Sequence, residues 1–200
     1  SSNLLIKLGL LCETEGDLQA AEQYLLRAAS ADRGYLPRWT LANFYFRQSR
    51  MDEFWKWGRL AAGTAYSDQS ALFDLYWRTR AKPEEILERG IPGGPQILAQ
   101  YLNYLLLREK IPEAEPVGDR LLAAATRDSL PLLASYCNHL LRAGRFHSAL
   151  VVWNRLCSRG ILPYHPLDPS RGAIITNGDF RQRPLAAGFD WRIQQVEGAG

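Results

Sequence analysis

Polar side chains that can bind a peptide recur at one spacing along the chain. In three segments an Asn or Asp stands four residues before an Arg, and residues four apart share one face of an α-helix. The positions are Asn43 with Arg47, Asp74 with Arg78 and Asn138 with Arg142, and Asn103 stands at the corresponding place of a further segment. An amide can donate to and accept from a peptide main chain, and a guanidinium can hold a carboxylate at two points. The pattern predicts a surface that binds a protein or peptide segment.

The same residues have a purely structural interpretation, which stays open on the sequence. Exposed Asn and Arg side chains can be solvated, or they can order the helix surface without holding a ligand. Trp39 and Phe46 fall on the predicted side of Asn43 and could line an apolar pocket beside it. Aromatic residues at helical spacing more often belong to a core, because each one buries a large area.

A pair of helices joined at Gly144 would position the last of these side chains, between residues 135 and 160. The apolar residues Tyr136, Leu140 and Leu141 share one helical face, and Phe146, Ala149, Leu150, Trp153 and Leu156 share another at the same period. Gly144 interrupts the pattern between them. Such a pair cannot bury its apolar face alone, so we expect it to stack on further copies.

Five copies of this unit follow one another along the chain. They start at Leu8, Leu41, Leu72, Tyr101 and Tyr136, in steps of 33, 31, 29 and 35 residues. In the third copy the breakers Pro83 and Gly90 confine the second helix, which we expect to span only about two turns. The sequence therefore predicts an all-α repeat region over residues 1–160.

Periods in the low thirties, with small residues where two helices cross, resemble the tetratricopeptide repeat family over about residues 3–160. Gly9 and Ala21 in the first copy and Ala42 in the second are such small residues. The resemblance implies a right-handed α-solenoid of about five helical hairpins. It also implies that the recurring Asn and Arg face a concave groove, where Asn often holds the main chain of a bound segment. We therefore expect a non-catalytic interaction scaffold that binds a protein partner.

The C-terminal tail, residues 161–200, lacks the helical period and is rich in Pro and Gly. Residues 173–176 and 188–193 are predicted as short strands. One interpretation, which we favour, is a strap that covers the end of the array. Its packing residues would be Ile174, Phe180, Phe189 and Trp191. The other is the start of a truncated β-sandwich.

Two further resemblances give alternative functions. Asn177 to Phe180, followed by residues 188–191, is similar to the opening of galactose-binding-like jelly-roll modules, which implies a carbohydrate-binding accessory protein of the cell envelope. Residues 137–146 and 158–163 resemble a pentatricopeptide repeat, which implies RNA binding. Because the net charge is only +3, we expect no nucleic-acid partner.

Residues for catalysis, metals or cofactors are sparse, so we expect no enzyme, no metal site and no cofactor. The three histidines have no partner at metal-ligand spacing, and no phosphate-binding glycine loop is present. Cys137 and His139 are two residues apart, which points them to different sides of a helix. The cysteines Cys12, Cys137 and Cys157 are interpreted as small buried apolar side chains.

The longest apolar stretch, Ile97 to Leu107, is about half the length that spans a bilayer, so we expect no membrane insertion. The tail's resemblance favours the bacterial periplasm, the cell envelope or secretion, whereas the unpaired thiols favour the cytoplasm. The chain begins Ser-Ser without Met, and we expect it to be a fragment of a longer protein. The sequence leaves the partner's identity and the oligomeric state open.

Overall fold

The computed structural model describes residues 1–193, and in these the chain is helical, with 66% of its residues in helices and no β-strand. The helices are α1 (Ser2–Thr14), α2 (Leu18–Ala31), α3 (Tyr35–Arg47), α4 (Met51–Ala62), α5 (Ser70–Arg78), α6 (Pro83–Glu85), α7 (Pro95–Leu107), α8 (Ile111–Ala123), α9 (Leu130–Arg142) and α10 (Phe146–Ser158). A π-helical turn, Ile86–Gly90, continues α6, and two 3-10 turns cover Arg127–Ser129 and Pro169–Arg171. The all-α class predicted from the sequence is confirmed.

The chain forms two compact units, Ser1–Tyr101 and Leu102–Gly200, and the division falls inside α7. We call them the N-terminal unit and the C-terminal unit and describe each by itself. The boundary predicted at Gly160, between a repeat domain and a tail, stays a prediction.

Close helix contacts in the N-terminal unit depend on small residues. Helix α1 packs on α2, α2 on α3, and α3 on α4. A Cβ at Gly9 would lie 2.8 Å from the Leu25 side chain and 3.2 Å from the carbonyl oxygen of Ala21. Only a residue without a side chain fits there. The predicted close approach of α1 and α2 at Gly9 and Ala21 is confirmed.

The third pair of the N-terminal unit is short, as predicted from Pro83 and Gly90. Helix α6 makes a single turn and continues as the π-helical turn that ends at Gly90. The Tyr76 ring of α5 lies against Gly90, and the Tyr76 hydroxyl donates to the Gly90 carbonyl at 3.1 Å. Gly58 of α4 lies against the same ring. The Tyr76 ring is therefore held between two glycines.

In the C-terminal unit, too, a tyrosine ring lies against a glycine of a neighbouring helix. Helix α8 packs on both α9 and α10, and the Tyr136 ring of α9 lies against Gly118 of α8. Arg159, just after α10, donates to three carbonyl oxygens at the end of α8. These belong to Leu122, Ala123 and Ala125, at 2.8–3.1 Å. The guanidinium satisfies carbonyls that the helix end leaves without an intrahelical partner.

Neither strand predicted in the tail forms within residues 161–193. Asp168 and Ala173 exchange two main-chain hydrogen bonds, of 2.8 and 3.0 Å, which close a turn over Pro169–Arg171. Ile174 and Ile175 follow that turn with 64% and 62% of their surfaces exposed. An apolar run makes a strand only when another strand pairs with it, and the described residues supply none.

The second predicted strand, residues 188–193, starts in a turn. Gly188 has a φ of +58°, and the amide of Asp190 donates to the carbonyl of Ala187 at 3.1 Å. Of the residues expected to cover the helices, Phe189 packs against Trp153 in an edge-to-face contact at 6.0 Å. Ile174 and Phe180 are largely exposed instead.

Candidate functional site

Arg47, at the end of α3, forms a two-point ion pair with Glu13 of α1. Its Nε donates to Oε1 at 2.8 Å and its Nη2 to Oε2 at 2.7 Å. The Arg47 side chain is 44% exposed and the Glu13 side chain is 14% exposed. Arg47 therefore holds a carboxylate of its own chain at two points, and binding of a partner's carboxylate stays a prediction.

Arg78, at the end of α5, continues this row of contacts. Its guanidinium carbon lies 5.3 Å from the centre of the Phe46 ring of α3. An arginine over an aromatic face is attracted by the negative face of the ring. Phe46 is half-buried and also contacts Phe54 of α4 at 5.6 Å. Asp74, one turn before Arg78, is exposed on α5.

Trp39 and Asn43 lie one turn apart on α3 and both are half-buried. The Asn43 amide nitrogen donates to the Trp39 carbonyl at 3.0 Å, so this side chain is oriented by its own helix. The Trp39 ring stacks on Tyr35 at 6.4 Å. Its indole nitrogen is buried, and no acceptor for it is present among residues 1–193.

Asn138 on α9 is occupied by the tail of the same unit. Its Oδ1 accepts from the main-chain N–H of Gly188 at 2.8 Å and from Nη2 of Arg192 at 2.8 Å. Asn138 thus accepts from the main chain of the tail, and its contact with a partner segment stays a prediction. Arg142 is exposed one turn later on α9, and Asn103 is exposed on α7.

The tail is held in this place by Trp153 and by a buried carboxylate. Gly188 lies so close to the Trp153 ring that a Cβ there would overlap it, and Tyr164 stacks on Trp153 at 5.9 Å. Asp190, which is only 4% exposed, accepts from the Tyr164 hydroxyl and the Leu185 amide, both at 2.6 Å. Burial, and then the bond to Asp190, raises the pKa of Tyr164.

The titratable groups of α9 and α10 are not arranged for nucleophilic chemistry. Burial raises the pKa of the Cys137 thiol to about 12 and that of Cys157 to about 11, so both stay protonated near neutral pH. Burial also lowers the pKa of His139, and the charge of Arg142 adds to this effect. Cys137 and Cys157 are buried as predicted, and Cys12 is half-buried.

Within the described part of the chain, no group of three or more His, Cys, Asp or Glu residues could hold a metal ion. No helix there has both the length and the apolar character needed to cross a bilayer.

Several residues that build these contacts were not singled out in the sequence. For Glu13, the signal available in the sequence was a charge opposite to that of Arg47. Gly188 and Arg192 lie 50 and 54 positions after Asn138, and no periodicity links them.

The predicted site residues that make contacts in the structure form one set in each unit. In the N-terminal unit Trp39, Asn43, Phe46, Arg47 and Arg78 are connected along α3 and α5. In the C-terminal unit Asn138 is joined to the tail. No family model matches the chain, and no curated protein matches it significantly.

Proposed function

We propose that the chain is a non-catalytic interaction scaffold. In this proposal its helix pairs form a right-handed α-solenoid of about five tetratricopeptide-like hairpins, and the first helices bind a segment of a partner protein. The binding site is assigned to the N-terminal unit, because there the candidate side chains lie on one connected row of helices.

The observation that carries the proposal is the series of contacts between the last turns of α1, α3 and α5. Glu13 of α1 pairs with Arg47 of α3, and Phe46 of α3 packs under Arg78 of α5. These two side-chain contacts support the proposal that the three first helices share one face. A pre-ordered surface of this kind loses little entropy on binding, which suits recognition.

The chemistry of this row favours a segment with a carboxylate. Arg78 is exposed, and the Arg47 side chain keeps 44% of its surface accessible while paired with Glu13. Arg47 and Arg78 lie at helix C-termini, which carry a partial negative charge and do not attract a carboxylate. The attraction for a ligand carboxylate therefore comes from the two guanidinium groups. The Asn43 amide lies on the same helix, and its nitrogen carries a second N–H for a main-chain carbonyl.

The test is selection of short peptides from a random display library on the purified protein, followed by calorimetric titration of the best binder. We expect Arg78→Gln to weaken binding about tenfold, as the loss of one charge-assisted hydrogen bond would. Arg27→Gln, an equal change of charge on the exposed side of α2, is the control and should leave the affinity unchanged. Equal losses in the two variants would refute the proposal, and so would a failure to select any acidic peptide.

A further inference from the structure

A cavity of about 480 Å³ in the N-terminal unit is lined by three cationic side chains. Arg38 comes from α3, Lys56 and Arg59 come from α4, and the remaining lining residues are Leu60, Gly63 and Pro92. None of these lining residues is acidic. The volume lies within the range of small-molecule pockets, which is roughly 300–1,000 Å³.

Two of the three cations are fixed in position by main-chain carbonyls. Arg38 Nη1 donates to the Leu60 carbonyl at 2.8 Å, and Arg59 Nη1 donates to those of Glu88 and Ile91 at 2.7 and 3.0 Å. Carbonyls orient a guanidinium without neutralising its charge. Each group also carries further N–H donors, because a guanidinium has five.

The acidic residues of α4 do not neutralise this cluster, since other arginines already bind them. Asp52 pairs with Arg89 at 2.7 Å and Glu53 pairs with Arg50 at 2.6 Å. Three cationic side chains line one cavity, an arrangement that a doubly charged oxyanion would match better than a single carboxylate.

A second cavity, of about 340 Å³, also borders Gly63 and Pro92. Gln69 and Gln100 are among its lining residues, and the buried Oε1 atom of each has no donor among the described residues. Gln69 is only 2% exposed, and its amide nitrogen donates to the carbonyls of Ala62 and Thr64, which fixes the oxygen as the remaining acceptor. Such acceptors fit hydroxyl or amine donors.

We propose that these adjoining cavities bind a small soluble phosphate monoester. Its phosphate group lies among Arg38, Lys56 and Arg59, and its body presents hydroxyl or amine donors to Gln69 and Gln100. This site is separate from the row of Arg47 and Arg78 and does not depend on the peptide-binding proposal.

The test is a titration of the ¹⁵N-labelled protein with inorganic phosphate, ribose 5-phosphate and acetate at constant ionic strength, followed by NMR. We expect saturable shifts at Gly63 and around Arg59, with affinity falling from ribose 5-phosphate to phosphate to acetate. Lys56→Gln should weaken phosphate binding about tenfold. Lys7→Gln, the same change on an exposed position of α1, should weaken it less than about twofold, as a change in overall charge alone would.

A further variant tests the second cavity. Gln100→Met should bring the affinities for ribose 5-phosphate and phosphate closer together. Equal effects of Lys56→Gln and Lys7→Gln, or no saturation by phosphate, would overturn the phosphate site. If the ratio of the affinities for ribose 5-phosphate and phosphate were unchanged in Gln100→Met, the proposed contact between the body of the ligand and the second cavity would be wrong. If a phosphoserine peptide bound more tightly than ribose 5-phosphate, the proposal that the ligand is a small molecule would be wrong.

Discussion

Asn43 and Asn138 hold the same predicted register position in the two units, yet they are used differently. Asn43 donates to the Trp39 carbonyl of its own helix, whereas Asn138 accepts from the main chain of Gly188 in the tail. In the N-terminal unit the neighbour of α3 is another helix pair. In the C-terminal unit α9 is covered by irregular chain. The same side chain thus takes its role from what packs beside it.

At these positions the residue type determines which hydrogen bonds or ion pairs a side chain can make. The neighbouring segment determines which group it makes them with. A two-point carboxylate clamp at Arg47 and a main-chain hydrogen bond at Asn138 were both expected for an external ligand. Both are made inside the chain, by Glu13 and by Gly188. A binding surface of this kind can be partly satisfied by its own protein.

The largest expected effect comes from Gly188→Ala, which tests whether the tail is part of the C-terminal unit. The new Cβ would overlap the Trp153 ring, and the φ of +58° disfavours any residue but glycine. We expect a loss of roughly 2–4 kcal/mol from overpacking and backbone strain. Thermal unfolding and limited proteolysis of the tail would measure it.

Gly172→Ala is the matched control for this change. Gly172 lies in the same tail with a φ of +79°, and nothing lies within 4 Å of a Cβ there. Gly172→Ala should therefore lower the free energy of unfolding by about 1 kcal/mol, from backbone strain alone. If the two variants were equally stable, the contact between Gly188 and Trp153 would not hold the tail.

Arg159→Gln is expected to have the next largest effect, about 2 kcal/mol. It removes hydrogen bonds to three carbonyls at the end of α8 and leaves them without a charged donor. Arg155→Gln, also in the C-terminal unit, exposed and one turn earlier, is the control. Denaturant unfolding measures both, and a loss below about 0.5 kcal/mol in Arg159→Gln would show that water replaces the guanidinium.

Substituting each asparagine tests whether Asn43 and Asn138 contribute differently to stability. Asn138→Ala should cost about 1–2 kcal/mol, because Gly188 and Arg192 lose their acceptor. Asn43→Ala should change the stability by less than about 0.5 kcal/mol, because its bond to its own helix is a local one. Hydrogen exchange at Gly188 would speed up only in Asn138→Ala. Equal costs would mean that the two positions are equivalent after all.

The smallest effect is expected for Glu13→Gln, which breaks the ion pair with Arg47. Arg47 is 44% exposed, and pairs of this kind contribute about 0–1 kcal/mol. The difference from the unaltered protein should shrink as salt is added, because salt screens the charges. Thermal unfolding at low and high salt would measure this, and a difference that persisted at high salt would show that packing of the Glu13 side chain matters more.

Much of the helical fold follows from local rules that can be seen in the sequence. The breaks at Pro83, Gly90 and Gly144 and the 3.6-residue apolar period indicate where several helices begin or end, because these residues act on their own backbone. The fit of Gly9 against α2 was also predictable from its small size. These features need no knowledge of distant neighbours.

The tail and the cation-lined cavity could not be predicted in this way. Residues 173–176 carry the composition of a strand, but a strand depends on a pairing partner that composition does not reveal. Arg38, Lys56 and Arg59 are brought together by the packing of α3 on α4, and each looks like an ordinary surface cation in the sequence. The proposed sites are therefore products of long-range contacts.

The guanidinium of Arg159, just after α10, is bonded to the end of α8, although α9 lies between the two helices in sequence. A pulling force applied after α10 would reach α8 directly through these bonds. The three helices should therefore rupture in one step instead of peeling away singly, and a single-molecule stretching trace would show one unfolding event for this block.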